Sequence, residues 1–252
     1  MRFRLEAIHR RRQRLEEHIR FRREFRAFAS KDSRFDVRWS DRRMIYQRER
    51  TTNGFDAEYL YHLAWAARVL AASRPAKHVD IASWVYFPAL LGAFIPVEFY
   101  EFQPSLLRLS GLKAGRADLT SLPFDNDSIA SLSCMHTVEH VGLGRYGDAI
   151  DPEGDLQAMR ELARVLAPGG QLLFVVPTGP GKVTFNAHRS YTYAQVLNAF
   201  ESLELREFHY IPSNVRLRGT IPDAQESDVL ADQRGGCGCY LFTKSDSGGG
   251  AS

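Results

Sequence analysis

The chain has 252 residues, 44% hydrophobic and 25% charged, with 16 Phe, 10 Tyr and 3 Trp. That is enough apolar material for one sizeable core, and it excludes a disordered chain, a collagen-like repeat and a disulfide-dense miniprotein. The formal net charge of +3 hides a split: residues 1–50 hold 17 of the 33 basic side chains but only 8 of the 30 acidic ones, so a basic arm precedes a mildly acidic body.

In chain order, residues 1–28 lack Gly and Pro and space Leu15–Ile19 and Phe25–Phe28 on one helical face. They predict one long Arg-rich helix, with Glu16 and Arg20 as an i,i+4 pair. Three roles compete for it. It packs its thin apolar stripe on the body or on a second copy of the chain; it docks on an anionic membrane surface; or it binds nucleic acid or a polyanionic substrate. Packing comes first, because charge runs are ordinarily solvated faces. Nucleic acid comes last, because no stacking module or base-reading motif accompanies the arginines. The expected division is an arm over 1–54, a body over 55–245 and a Gly/Ser-rich mobile tail over 246–252.

The body then alternates short apolar runs with helical stretches. Helices are predicted over 56–73, with Asp56 as N-cap, and over 87–94, 105–109, 155–166 and 192–200. Strands are predicted over 78–82, 97–100, 128–135, 172–176, 204–209 and 239–243. Pro168-Gly169-Gly170 is expected to stop the fourth helix, Asp151 to cap its start, and 213–238 to be irregular. The alternation implies an α/β fold, a mostly parallel sheet covered on both faces, with the last strand pair adding an antiparallel edge.

Three cysteines, two of them one residue apart, give no disulfide framework and favour a reducing, cytoplasmic setting. No apolar run is long enough to span a membrane, and the charged start is no signal peptide. Glu6, Glu16, Glu17 and Glu24 argue against a mitochondrial presequence. Cys237-Gly238-Cys239 has no second pair, so no metal site is expected from it. His136-x-x-Glu139-His140 spells an inverted zincin motif, but at a strand end its two rings are not expected to share a face. Gly179-Pro180-Gly181-Lys182 lacks the rest of a P-loop and reads as a turn.

Three segments carry a resemblance. The run Ala117-Asp118-Leu119-Thr120-Ser121-Leu122-Pro123-Phe124-Asp125 resembles the loop before strand four of class I S-adenosylmethionine-dependent methyltransferases. Ser133-Cys134-Met135-His136-Thr137-Val138-Glu139-His140 resembles the end of that strand. Glu161-Leu162-Ala163-Arg164-Val165-Leu166-Ala167-Pro168-Gly169-Gly170 resembles the helix and turn that enter strand five. The segments Glu139–Asp155 and Phe185–Arg189 resemble, more narrowly, a methyltransferase-like family of bacteria and nematodes with no assigned activity.

The resemblance implies a Rossmann-like sandwich and methyl transfer from S-adenosylmethionine to a small-molecule or glycan acceptor. It implies cofactor contacts from Asp80, Ala82, Glu101, Asp118, Leu119 and His136. The expected Gly-x-Gly-x-Gly is here Ala82, Trp84 and Tyr86, whose side chains fill space that glycine leaves open. A second route therefore stays open: the fold without its cofactor, acting on a phosphorylated or acidic sugar or serving as a scaffold in glycan assembly.

A polar cluster lies beside these positions. Glu139, His140, Arg145, Asp148, Asp151 and Asp155 follow strand four; Asn186, His188 and Arg189 follow strand five. Both loops open on the same end of such a sheet, so they are expected to converge on one cleft. His140 and His188 are the candidate general bases. Glu139, Arg145, Asp148, Asn186 and Arg189 are the candidate substrate contacts. The amides around Gly142, Gly144 and Gly147 are expected to form an anion nest.

Overall fold

The computed structural model describes residues 2–31, 36–44 and 55–246. Residues 45–54, the end of the expected arm, and all of the predicted tail beyond 246 lie outside the described residues. The chain divides into two units, Met1–Gly54 and Phe55–Ser252. In the first, α1 (Arg2–Ala29) is the long helix that the sequence predicts. Glu16 pairs with Arg12 at 2.9 Å rather than with Arg20. Phe21 and Phe25 pack on Trp39, and Arg42 stacks 4.4 Å over the same ring. Leu15, Ile19 and Phe28 stay exposed. No helix among the described residues is long and apolar enough to cross a membrane.

The second unit is a seven-stranded sheet. Its elements run α2 (Ala57–Ser73), β1 (His78–Ile81), α3 (Tyr86–Leu91), β2 (Val97–Glu101), β3 (Leu112–Arg116), β4 (Ile129–Met135), α4 (Gly154–Val165) and β5 (Leu166–Thr178). There follow a small hairpin of β6 (Lys182–Thr184) and β7 (His188–Ser190), then α5 (Tyr193–Ala199), β8 (Glu204–Ile211), α6 (Val215–Arg218), α7 (Glu226–Ala231) and β9 (Gly236–Thr243). The strand order is β3-β2-β1-β4-β5-β9-β8. The first five strands pair in parallel, and β9 runs antiparallel between β5 and β8.

Local chemistry explains most of these elements. Asp56 caps α2 by accepting the Tyr59 amide, and Thr192 with Gln195 forms a capping box at α5. Along β5 the side chains alternate between two cores. Leu172, Phe174 and Val176 pack with α4 and α5, while Leu173 and Val175 pack with α2 and α3.

Four expectations need correction. Residues 105–109 form no helix: the Glu101 carboxylate takes the Ser105 amide, and of the segment's three leucines only Leu107 packs on the core, too little apolar face for a five-residue helix. The turn Pro168-Gly169-Gly170 lies inside β5 rather than ending α4. There the register against β4 slips, Leu166 facing Ile129 and Gln171 facing Ser131. Glu153, not Asp151, is the N-cap of α4, and the Asp151 carboxylate accepts the Glu153 amide beside it. The stretch 213–238 holds α6, α7 and the start of β9, and β3 was not anticipated because its pattern is mostly polar.

A buried polar chain crosses the sheet where the strand order reverses, between β1 and β4. Gln171 Nε2 donates to Ser131 Oγ at 3.1 Å. Ser131 Oγ meets His78 Nδ1 at 2.8 Å, and His78 Nε2 meets Ser133 Oγ at 2.9 Å. Ser133 Oγ donates to Asp80 Oδ2, and Asp80 Oδ1 accepts the Ser83 amide at 3.1 Å. The donor directions are consistent end to end if His78 is neutral with its proton on Nε2 and Asp80 is ionised. Burial depresses the His78 pKa to about 3. Burial pushes that of Asp80 up to about 6, against the hydrogen bonds from Ser133 and Ser83 that pull it down.

These shifts oppose each other. Unfolded His78 takes a proton near the ordinary imidazole pKa and the folded form resists it. Its contribution to stability is therefore lost as pH falls from about 6.5 toward 3. Folded Asp80 holds its proton up to about 6, so its contribution is lost as pH rises from about 4 to 6. The gap in thermal stability between wild type and His78→Gln should widen as pH rises from 4 to 6.5, by up to about 1.4 kcal/mol per pH unit. A gap independent of pH in melting curves would contradict the assigned neutral His78.

Candidate functional site

The site is built at the C-terminal ends of the parallel strands, beside the reversal between β1 and β4, where open α/β sheets leave a crevice. The chain leaves β1 through Ala82, whose backbone is left-handed at φ 55°. That region favours glycine and costs an alanine about 1 kcal/mol. The Ala82 carbonyl is held by Thr137 Oγ1 at 2.8 Å, so the ends of β1 and β4 are tied together.

Two cavities open here. The first, about 410 Å³, is lined by Ala82, Phe102, Asp118, Leu119, Thr137 and Tyr146, among others. Asp118 Oδ1 accepts both the amide and the hydroxyl of Thr120, at 2.9 and 2.7 Å, which fixes the carboxylate at the pocket rim. Trp84 and Tyr86, which replace expected glycines, are outside this lining. They are 47% and 60% exposed and meet edge to face, with Trp84 also edge to face against Tyr59.

The second cavity, about 960 Å³, is the more polar of the two. His136, Glu139, His140 and Arg145 line it with His188, Tyr59, Arg216 and Arg234. His140 belongs to both walls. Its Nδ1 lies 2.7 Å from the Ala187 carbonyl, which also accepts Arg145 at 2.8 Å. A carbonyl only accepts, so Nδ1 carries the proton and Nε2 is the basic nitrogen. Burial outweighs the attraction of Glu139 and holds the His140 pKa below the usual imidazole value.

The two loops expected to converge do meet, through contacts that redistribute the predicted roles. Arg189 is buried and gives its guanidinium to the Val141 and Pro152 carbonyls at 2.6 and 3.3 Å, with Asp155 3.4 Å away. It clamps the loop from behind. The anion nest is filled by the chain itself: Asp148 accepts the amides of Gly142, Gly144 and Tyr146. Those amides outweigh burial and lower its pKa. At Gly142, φ is 76° and a Cβ would fall 2.0 Å from the Asp151 carbonyl, so only glycine fits. Asn186 is exposed on the turn between β6 and β7.

The six predicted cofactor residues separate. Ala82, Asp118 and Leu119 line the first pocket. Asp80 lies beneath it, holding the Ser83 amide and Ser133. Glu101 turns to the Ser105 amide, and its neighbour Phe102 faces the pocket instead. His136 turns to the polar cavity, and Thr137 takes its expected place.

His136 sits in a cluster that sequence reasoning did not assemble. Its Nδ1 is 3.0 Å from Glu139 Oε1, its Nε2 is 3.3 Å from Cys237 Sγ, and its ring stacks on Tyr59. Burial disfavours its imidazolium, but Cys237 and Glu139 outweigh burial and raise its pKa above the usual imidazole range. His62 of α2 lies against it, ring centroids 4.8 Å apart. Burial holds His62 neutral. The second oxygen of Glu139 is buried with no hydrogen-bond partner among the described residues. Glu58, Tyr59 and His62 share one face of α2, at i, i+1 and i+4. That spacing was the available signal, but nothing local says where the face lands.

Residues 122–210 match a family model described as Caenorhabditis protein of unknown function, DUF268. A ubiquinone/menaquinone biosynthesis C-methyltransferase of Hahella chejuensis is 26% identical over 132 residues, covering 50% of this chain. The chain spans about half the length of that curated relative, 47%. Among solved structures, a Thermotoga maritima methyltransferase described as a possible histamine N-methyltransferase superposes with TM-score 0.52 at 14% identity, covering 74% of this chain and 89% of that one. A putative sarcosine dimethylglycine methyltransferase of Galdieria sulphuraria gives 0.51 at 14% identity, covering 74% and 86%. The fold is that of the class I S-adenosylmethionine-dependent methyltransferases.

The filled nest predicts a stability role for Asp148. Asp148→Ala should cost about 1–3 kcal/mol by stranding three amides. It should also speed proteolysis within residues 142–150, read by mass spectrometry of the fragments. Unchanged melting and cleavage would contradict the role.

Proposed function

We propose that the protein is an S-adenosylmethionine-dependent methyltransferase that acts on a small-molecule or glycan acceptor. One observation carries the reading: His140 stands in the wall shared by the pocket holding Asp118 and Leu119 and the larger polar cavity. The pocket residues fit a nucleoside cofactor. Phe102 offers a flat face, Asp118 an acceptor for an exocyclic amine, and Ala82 the smallest side chain after glycine. The bulky Trp84 and Tyr86 lie outside the lining. When bound, the cofactor supplies a methyl group on a positively charged sulfur, ready for transfer to a nucleophile.

The chain's own groups have distinct tasks. His140 Nε2 takes the acceptor proton while its Nδ1–H stays anchored on the Ala187 carbonyl. The low pKa keeps this ring neutral and able to accept near pH 7. His188 and Arg145, with Arg216 and Arg234, line the acceptor side together with Asp56, Glu58 and Glu139, a mixed-charge lining that favours a polyhydroxyl compound. Holding both reactants in adjoining cavities supplies much of the rate by orientation alone.

The same guanidiniums favour a second reading, in which the cavity binds or processes a phosphorylated or acidic sugar without S-adenosylmethionine. Calorimetric titration with S-adenosylhomocysteine separates the two. The first reading predicts binding that Asp118→Ala weakens about tenfold, roughly 1.4 kcal/mol. It also predicts that Ala82→Trp abolishes binding. No heat at millimolar ligand with the folded wild type would overturn it.

A further inference from the structure

His62, His136 and Cys237 come from three separate elements: α2, the turn after β4, and β9. Their donor atoms all lie within 4.8 Å of one another. Both rings are fixed in the same tautomer from behind. His62 Nδ1 is 2.9 Å from the Glu58 carbonyl, and His136 Nδ1 is 3.0 Å from Glu139 Oε1. Each partner can only accept, so each Nδ1 carries the proton and each Nε2 is turned inward. His62 is fully buried, and its Nε2 has no hydrogen-bond partner among the described residues. An orphaned buried nitrogen of this kind calls for an explanation. His136 Nε2 lies 3.3 Å from Cys237 Sγ and 3.3 Å from Glu58 Oε1.

We propose that His62 Nε2, His136 Nε2 and Cys237 Sγ bind a zinc-class divalent cation, with the Glu58 carboxylate as fourth ligand. Two imidazoles and a thiolate select zinc over the oxygen-seeking magnesium and calcium. In a tetrahedral zinc site with bonds of about 2.1 Å to nitrogen and about 2.3 Å to sulfur, ligand atoms lie roughly 3.3–3.8 Å apart. The two 3.3 Å contacts are already there, and among His62, His136 and Cys237 the widest spacing, at most 4.8 Å, must close by about 1 Å. On binding, the Cys237 thiol proton and any proton on His136 Nε2 leave to solvent, and bonds from the metal to Sγ and Nε2 replace the S–H and N–H bonds. Glu139 on His136 and the carbonyl on His62 are the oxygen partners that metal-bound imidazoles require on their far nitrogen. The cation ties α2 to β9 at the floor of the polar cavity. This assignment does not rest on methyl transfer.

The test uses the full chain, stripped with a chelator, desalted, and titrated with Co²⁺ and then Zn²⁺. The expected result is about one ion per chain and a rise in melting temperature with Zn²⁺. The cobalt form should show a near-ultraviolet thiolate-to-metal band that Cys237→Ser removes. His62→Gln should abolish tight binding. Glu139→Gln keeps every ligand and should weaken affinity 10- to 100-fold, so it decides the matter if the ligand variants fail to fold by circular dichroism. No retained metal in the wild type, a cobalt spectrum unchanged in folded Cys237→Ser, or unchanged affinity in Glu139→Gln would overturn the proposal.

Discussion

The chain of hydrogen bonds from Gln171 through Ser131, His78 and Ser133 to Asp80 anchors the crevice at the β1/β4 reversal. Parallel strands buried on both faces are ordinarily apolar throughout. Here β1 and β4 carry polar side chains at the point where the strand order reverses, and each is satisfied by the next. The last link, from Asp80 to the Ser83 amide, fixes how the chain turns out of β1. That turn forces Ala82 into the left-handed region and presents its small side chain to the pocket. Breaking one link strands a buried polar group, at about 1–3 kcal/mol. It also frees the loop that shapes the crevice.

From this anchor the functional surface is assembled by contacts between loops. Thr137 holds the Ala82 carbonyl, so the ends of β1 and β4 move together. Arg189 and Asp155 fasten the β7 strand to the loop after β4, and the Ala187 carbonyl orients His140 and Arg145 from the same hairpin. Several charged groups that look like ligand contacts are internal struts. Asp148 is the clearest case: its carboxylate fills the amide nest that an external anion would otherwise occupy. The charged groups left facing the polar cavity include Arg145, Arg216 and Arg234.

The sheet was legible because its signals are local. The continuous apolar run of β5 and the Asp56 cap each act within a few residues. The pair Asp118-Leu119 was legible through the resemblance, and it does line a pocket. The differences from expectation share a different cause. Glu101 and His136 were assigned by their position at strand ends, and Arg189 by its place in the loop after strand five. A side chain there can turn either way, and its direction depends on long-range partners: Ser105 for Glu101, Cys237 and Glu139 for His136, Asp155 for Arg189. His62 sits 74 residues before His136 and 175 before Cys237, in a helix whose composition suggests only packing. No spacing rule joins them; the register of β9 beside β5 does.

The proposed methyl transfer puts a nucleoside cofactor in the pocket beside the β1/β4 reversal, with His140 between it and the acceptor. A crystal structure grown with S-adenosylhomocysteine tests this most directly. The account predicts ligand density in the cavity lined by Ala82, Phe102, Asp118 and Leu119, with Trp84 and Tyr86 outside it. Density only in the polar cavity, or a side chain of Trp84 or Tyr86 filling the pocket, would contradict it.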